Sequence, residues 1–147
     1  MNHTTPEAVL EAYKTAVYDK NADAFLRLYD RDARVYDTWG VWCYEGTAAR
    51  QTAIEGWFSS LGSERVKVSF DDVKVTVAHE LAVLTATGRY AAVSHEGAEL
   101  RAMQNRLTWA LQQKDRQWVI VHEHTSTPIG FSDLKGILQR DDGINKT

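Results

Sequence analysis

Apolar residues recur at intervals of three and four near the start of the chain, which is the period of one helix face. They are Val9, Leu10, Tyr13, Ala16 and Val17. Thr5 followed by Pro6 is typical of a helix start, because the hydroxyl can cap free N–H groups and proline fits the first turn. The pattern predicts a helix over residues 6–20.

Two more helical segments are predicted before most of the strands. A break with a new cap at 21–23 precedes a short helix that ends near 30–32, and a short strand follows at 34–37. The apolar positions of this short helix are Phe25, Leu28 and Tyr29. Thr47 can cap a third helix that Gly62 ends. Its apolar face carries Ile54, Trp57, Phe58 and Leu61.

Beyond the third helix the apolar period changes to two, as in strands. The segments 66–70 and 73–77 flank two aspartates and are compatible with one bulged strand. Further strand-like segments, joined by short turns, follow at 81–93, 99–111 and 118–126. Helices first and a long antiparallel meander afterwards predict an α+β fold, in which three N-terminal helices cover a curved, cone-shaped sheet.

Length and composition fit one domain over residues 1–147, with a core at about 5–132 and a polar C-terminal tail. The chain is 44% hydrophobic and 25% charged, which is ordinary for a globular protein. A net charge of -3 with scattered Lys and Arg argues against nucleic-acid binding. Cys43 has no partner for a disulfide, and no leader or membrane-spanning run is evident. We therefore expect a cytoplasmic protein that binds neither nucleic acid nor membrane.

The order of elements resembles that of the SnoaL-like and ketosteroid isomerase-like group within the nuclear transport factor 2-like superfamily, whose fold is a cystatin-like roll. The resemblance is carried by segment 28–37, which leaves the second helix, and by segment 45–49, which opens the third. Segments 106–109 and 118–128 are similar to the association domain of calcium/calmodulin-dependent protein kinase II. The resemblance covers nearly the whole chain. It implies the fold, but this superfold hosts isomerases, dehydratases, hydrolases, binding proteins and assembly domains.

Two candidate catalytic residues follow from the ketosteroid isomerase resemblance. Tyr13 and Asp37 fall where that family has its oxyanion-binding tyrosine and its general base. The chemistry is reasonable, since a carboxylate in an apolar cone has a raised pKa and a buried phenol can donate to a developing enolate. Strand 102–111 has no Asp or Glu for the second oxyanion donor of that family. The alternatives are a core residue for Tyr13 and an acceptor of turn amides for Asp37.

The association-domain resemblance implies that Arg106 points into the cavity. Alternation then gives a face of that strand with Gln104, Arg106 and Thr108, and a cavity side of the last strand with Val119, Val121, Glu123 and Thr125. Arg106 then needs an anionic partner, either Glu123 or a bound carboxylate in its place, because an unpaired buried charge is costly. The candidate ligand-binding residues are Arg106, Glu123, Tyr90, Thr125 and Trp57. The alternative for Arg106 is a surface position on the outer face of the sheet.

The outer face of the sheet is the predicted surface of a homodimer. Trp109 and Trp118 share the face of His122 by alternation, and exposed large aromatic residues are usually covered by a partner. His122 and His124 are two apart on one strand, a spacing that suits a metal, but no third ligand lies at a convincing spacing. We therefore predict no metal site.

The sequence contains no phosphate-binding loop, dinucleotide fingerprint or nucleophile elbow, so no cofactor is predicted. It favours a small-molecule-binding protein that is also a candidate acid/base enzyme of the isomerase or lyase type. The expected ligand is mostly apolar with one polar or anionic group. In this hypothesis Asp37 moves a proton, Tyr13 steadies an oxygen and Arg106 orients the polar group. The alternative, implied by the association-domain resemblance, is a non-catalytic oligomerisation or accessory domain.

Overall fold

Helices and strands follow the predicted order in the computed structural model, which describes residues 3–140. The tail predicted at 141–147 lies outside the described residues. The helices within them are α1 (Pro6–Tyr18), α2 (Ala22–Leu26) and α3 (Thr47–Ser60). The strands are β1 (Tyr29–Tyr36), β2 (Tyr44–Glu45), β3 (Arg65–Ala78), β4 (Leu81–Val93), β5 (Glu99–Lys114) and β6 (Gln117–Ser126).

Within residues 3–140 the strands form one curved sheet in the order β2-β1-β6-β5-β4-β3. Neighbouring strands are antiparallel except β1 and β6, which are parallel. The register of β3 on β4 shifts between Asp71 and Lys74, so the single bulged strand is confirmed. The N-terminal helices cover one face of the sheet, where Phe25, Leu28 and Trp109 are fully buried in a common core. The α+β fold with helices over a curved sheet is confirmed.

The starts of α1 and α3 are capped in different ways. Thr5 caps α1 as predicted, since its Oγ1 accepts a hydrogen bond from the N–H of Ala8 at 3.1 Å. At α3 the cap is Gly46 rather than Thr47, which is the first helical residue. Gly46 has a φ of +87°, and a Cβ there would lie 3.0 Å from the carbonyl oxygen of Arg31. Only glycine suits this turn, which fixes the start of α3 against β1.

The helix α2 is shorter than predicted. It ends at Leu26, whereas the sequence pattern predicted an end near 30–32. Tyr29 already belongs to β1, because the N–H of Ile120 donates to the carbonyl of Leu28 at 2.9 Å. Pairing with the last strand therefore overrides the helical spacing of the apolar residues.

One extra residue in β6 decides which of its side chains face the core. Ile120 and His122 pair with adjacent residues of β5, so Val121 between them is bulged. The buried positions of β6 are Trp118, Ile120, Glu123 and Thr125. The prediction that Val119 and Val121 share the cavity side was wrong, because the bulge reverses the alternation along this strand.

Two tryptophans predicted on a dimer surface lie in the core of the chain instead. Trp109 is 0% exposed and Trp118 is 4% exposed. That prediction was wrong, because the inward face of β5 carries Asn105, Leu107 and Trp109, and the bulge turns Trp118 inward. His122 remains on the other face, with its Nδ1 2.7 Å from the carbonyl oxygen of Arg34.

The segment after β6 folds back along the edge of β5. The N–H of Gln104 donates to the carbonyl of Leu138 at 2.7 Å, and the side-chain amide of Gln139 donates to the carbonyl of Ala102 at 2.6 Å. The segment beyond residue 132 is therefore hydrogen-bonded to the sheet, although most of its side chains are exposed. Across residues 3–140, none of the helices combines the length and the apolar character needed to cross a membrane.

Candidate functional site

A cavity of about 690 Å³ lies between the helices and the inward face of the sheet. Its volume is in the range of sites for small organic molecules. Most of its lining is apolar or aromatic, and a smaller part is polar or charged. The polar and charged lining residues are Tyr13, Asp37, Tyr44, Arg50, Tyr90, Arg101, Asn105, Glu123 and Thr125.

Glu123 is the most deeply buried of the charged lining residues, at 1% exposure. Its Oε1 accepts hydrogen bonds from the hydroxyl of Tyr29 at 2.5 Å and from the indole N–H of Trp109 at 2.9 Å. Its Oε2 accepts one from Nη2 of Arg50 at 3.0 Å. Both oxygens are satisfied, so Glu123 serves as an anchor for its neighbours rather than as a group that changes partners.

Arg50 is the cation of this buried pair, and sequence reasoning missed it. It lies one turn into α3, 5% exposed, with its guanidinium 5.0 Å from the ring centre of Tyr29 and 5.2 Å from that of Phe25. Its Nε and Nη1 have no hydrogen-bond partner among the described residues. The signal was present, because Arg50 is four residues before Ile54 and hence on the buried face of the helix.

Asp37 follows β1 and lies at the edge of the cavity, with 25% of its side chain exposed. Its Oδ1 accepts weak hydrogen bonds from the hydroxyl of Thr125 at 3.3 Å and from the N–H of Trp39 at 3.4 Å. Its Oδ2 is 4.0 Å from Nη2 of Arg50. Burial raises the pKa of Asp37, although Arg50 opposes the rise. Asp37 is therefore a stronger proton acceptor than a solvated aspartate.

Tyr13 and Tyr90 form a hydrogen-bonded pair of phenols, with 2.9 Å between their hydroxyl oxygens. Burial raises the pKa of both tyrosines, so both are neutral at physiological pH. One hydroxyl donates to the other, and the accepting hydroxyl keeps its own proton. The pair therefore offers a phenolic donor to an oxygen atom in the cavity.

Arg106 does not line the cavity, so the prediction that it points into the cavity was wrong. It lies on the outer face of β5, exposed, where its Nε donates to Oγ of Ser126 at 3.2 Å. The residues on either side of it, Asn105 and Leu107, point inward. The pairing of Glu123 with a buried arginine occurs, but the arginine is Arg50 from α3.

The remaining candidate residues lie together in the cavity lining. They are Tyr13, Asp37, Trp57, Tyr90, Glu123 and Thr125. Sequence reasoning missed Asn105, whose Oδ1 is buried without a hydrogen-bond partner among the described residues. Over residues 3–140, no three His, Cys, Asp or Glu side chains come together as a metal-binding group.

Residues 7–130 match the sequence profile of the SnoaL-like domain. No match was found among curated protein sequences. Similar solved structures include an NTF2-like protein of unknown function from Pseudomonas putida, with 19% identity, a TM-score of 0.80, and coverage of 92% of this chain and 92% of that chain. Aln2 from a Streptomyces species has 12% identity and a TM-score of 0.72, over 83% of this chain and 91% of that chain.

A proposed calcium/calmodulin dependent protein kinase II association domain from Xanthomonas campestris is also similar in structure. It is 17% identical with a TM-score of 0.70, and the match covers 82% of this chain and 83% of that chain. At such identities these structures show the fold and leave the chemistry to the residues of the cavity.

Proposed function

The chain belongs to the SnoaL-like domain family, and we propose that its cavity binds a small, mostly apolar molecule and transfers a proton within it. The proposed reaction is of the isomerase or lyase type and uses protein side chains as acid and base. The observation that carries the proposal is Asp37, a carboxylate of raised pKa at the wall of a largely apolar cavity. A group with these properties is suited to accept a proton from carbon.

The phenol pair supplies the second half of the proposed chemistry. Asp37 takes a proton from the carbon next to a ligand carbonyl, and the electron pair of that bond moves onto the carbonyl oxygen as an enolate. The free O–H of the Tyr13–Tyr90 pair donates a hydrogen bond to this oxygen. In a ligand with a carbon–carbon double bond next to that carbon, the enolate is a dienolate. Asp37 then returns the proton to the far carbon of the double bond while the carbonyl re-forms, which moves the double bond into conjugation and completes an isomerisation.

The charges around the cavity favour a neutral ligand. Among the described residues, the charged side chains of the lining that are buried or half-buried are Arg50, Glu123 and Asp37. Arg101 is largely exposed and pairs with Glu64 at 2.7 Å. The buried cation is already opposed by Glu123, so an anionic group would face the uncompensated charge of Asp37. A carbonyl is therefore favoured as the polar group at the reacting centre.

Proton exchange on model ketones tests this function. The protein in D₂O would be mixed with neutral enolisable ketones ranging from 2-tetralone to a tetracyclic steroid ketone, and loss of the α-proton signals would be followed by NMR. We expect exchange with at least one ketone, and a loss of roughly 100-fold or more in Asp37→Asn, because positioned bases contribute that much. Asp32→Asn, an exposed aspartate of β1, is the control. Exchange that is equally fast in Asp37→Asn, or binding of the ketones without exchange, contradicts the proposal.

The second candidate function is assembly, which the exposed aliphatic residues of the sheet favour. Leu81 and Val83 of β4 are 57% and 50% exposed, whereas the alternate residues Ala82 and Leu84 are buried. Alternation places Leu81 and Val83 on the outer face, and we propose that two copies of the chain pair through this face. A monomer in size-exclusion chromatography with light scattering at micromolar concentration would exclude this dimer. A stable dimer that binds none of the ketones would favour assembly over catalysis.

A further inference from the structure

Asn105 is a buried amide without a hydrogen-bond partner in the described part of the chain, residues 3–140. It lies on the inward face of β5, 8% exposed, and belongs to the lining of the cavity. Its Oδ1 has no hydrogen-bond partner among the described residues, and no hydrogen bond of the amide nitrogen is found there either. Burying an amide without a partner is costly, so its partner is expected to come from the cavity itself.

The surroundings of Asn105 keep the amide beside the reacting groups. A Cβ on Gly88, the residue opposite it in β4, would lie 2.9 Å from Oδ1 of Asn105 and 3.1 Å from a ring carbon of Tyr90. The amide thus rests on bare backbone, next to the ring of a tyrosine from the phenol pair. The absence of a side chain at Gly88 is what makes this room.

The chemistry of the amide indicates the kind of group it would bind. An asparagine amide offers both an acceptor oxygen and donor N–H groups, whichever end is turned to the cavity. A hydroxyl group donates and accepts through one atom, so it suits either orientation. A carboxylate suits only the N–H end of the amide, and its charge is disfavoured because Asp37 and Glu123 already oppose Arg50.

We infer that Asn105 binds a neutral hydroxyl group of the ligand, separate from the carbonyl on which Asp37 and the phenol pair act. The ligand class is then a hydroxylated cyclic ketone with a largely apolar ring system. This inference rests on the proposed function for the carbonyl end of the ligand, while the role of Asn105 depends on its own geometry.

The test compares a ketone with its hydroxylated forms. The probes are 2-tetralone and its isomers with a hydroxyl group at ring carbon 5, 6 or 7, and the dissociation constants would be measured by isothermal titration calorimetry. We expect at least one isomer to bind about tenfold more tightly than 2-tetralone, as one well-made hydrogen bond to a buried group allows. In Asn105→Leu that preference disappears, so that the hydroxylated isomers bind no more tightly than 2-tetralone does.

Thr108→Val is the matched control, because Thr108 is a polar residue on the exposed face of the same strand. It should keep the preference of the parent. Asn105→Leu should also retain or raise the thermal stability, since it removes an unpaired amide. A lower melting temperature with the preference intact would mean that Asn105 is only structural, which overturns the inference. If Asn105→Leu does not fold, Asn105→Ala gives the same comparison without added bulk.

The outcomes separate this inference from the proposed function. A preference for a hydroxylated probe that depends on Asn105, without proton exchange, supports the inference and contradicts the proton transfer. Proton exchange together with a preference for the hydroxylated probe that survives in Asn105→Leu supports the proton transfer and contradicts the inference. The inference is overturned if none of the hydroxylated probes binds more tightly than 2-tetralone. It is also overturned if none of the four probes binds at millimolar concentration, even when larger ketones show proton exchange.

Discussion

Glu123 and Asp37 are two carboxylates of one cavity that share Arg50 and yet are held very differently. Glu123 is 1% exposed and receives three hydrogen bonds of 3.0 Å or less. Asp37 is partly exposed, receives two hydrogen bonds of 3.3 and 3.4 Å, and lies 4.0 Å from the guanidinium. A buried carboxylate whose oxygens receive all their hydrogen bonds is a fixed part of the structure, whereas a carboxylate with few and long hydrogen bonds remains able to take up a proton.

The largest effect is expected from breaking the buried pair. Arg50→Met leaves Glu123 as an uncompensated buried charge, and the free energy of unfolding should fall by about 3–5 kcal/mol, as measured by urea denaturation. Arg34→Met is the control, because Arg34 pairs with Glu45 at 2.7 Å on the exposed surface, where we expect no measurable change. Equal stability of the two variants would show that Glu123 is not an anchor.

A smaller effect is expected from loosening the hold on Asp37. Its base form is active, so the exchange rate should rise with pH through a midpoint above the ordinary value of 3.8. The Thr125 hydroxyl stabilises the ionised carboxylate and so lowers the pKa of Asp37. Thr125→Val removes this donor, and the midpoint should move to higher pH. The pH dependence of the exchange rate measures this, and a midpoint that stays or falls contradicts the assignment.

The smallest effect is expected at the glycine beneath Asn105. Gly88→Ala places a methyl group where only 2.9 Å separates it from Oδ1 of Asn105, so the amide must shift. We expect a several-fold loss of the preference for a hydroxylated tetralone, measured by calorimetry, with little change in stability because a side-chain end gives way. In Gly56→Ala the new methyl group meets no atom of the described residues within 4 Å, and the preference should persist.

The fold was predictable because its signals are local and repeated. The helical spacing around Tyr13, the alternation beyond the third helix and the short turns all survive in the structure. The predictions were wrong where the pairing of strands determines the structure. The helix α2 ends before β1 begins at Tyr29, and the bulge at Val121 reverses which side chains of β6 face inward. A bulge adds one residue without any marker in the sequence, so alternation counted across it reaches the wrong face.

The candidate site was predictable in part, and for a related reason. Asp37, Tyr13 and Glu123 lie in the cavity lining as expected, but Arg106 does not. Its neighbours at 107, 109 and 111 are apolar and mark the inward face of β5, a local signal that conflicts with the face implied by the resemblance. The partner of Glu123 comes from α3, far away in the chain, and pairing over such a distance is not visible in a periodic pattern.

Leu138, which folds back onto the edge of β5, determines at what point during synthesis of the chain the cavity can be complete. Every other lining residue is synthesised before Leu138, so a chain emerging from the ribosome has the rest of the cavity lining before this last part of it exists. Binding is then coupled to the finished fold, because a ligand that contacts the complete lining stabilises only the complete structure. Such a ligand stabilises the completed fold but not the earlier, partly folded states.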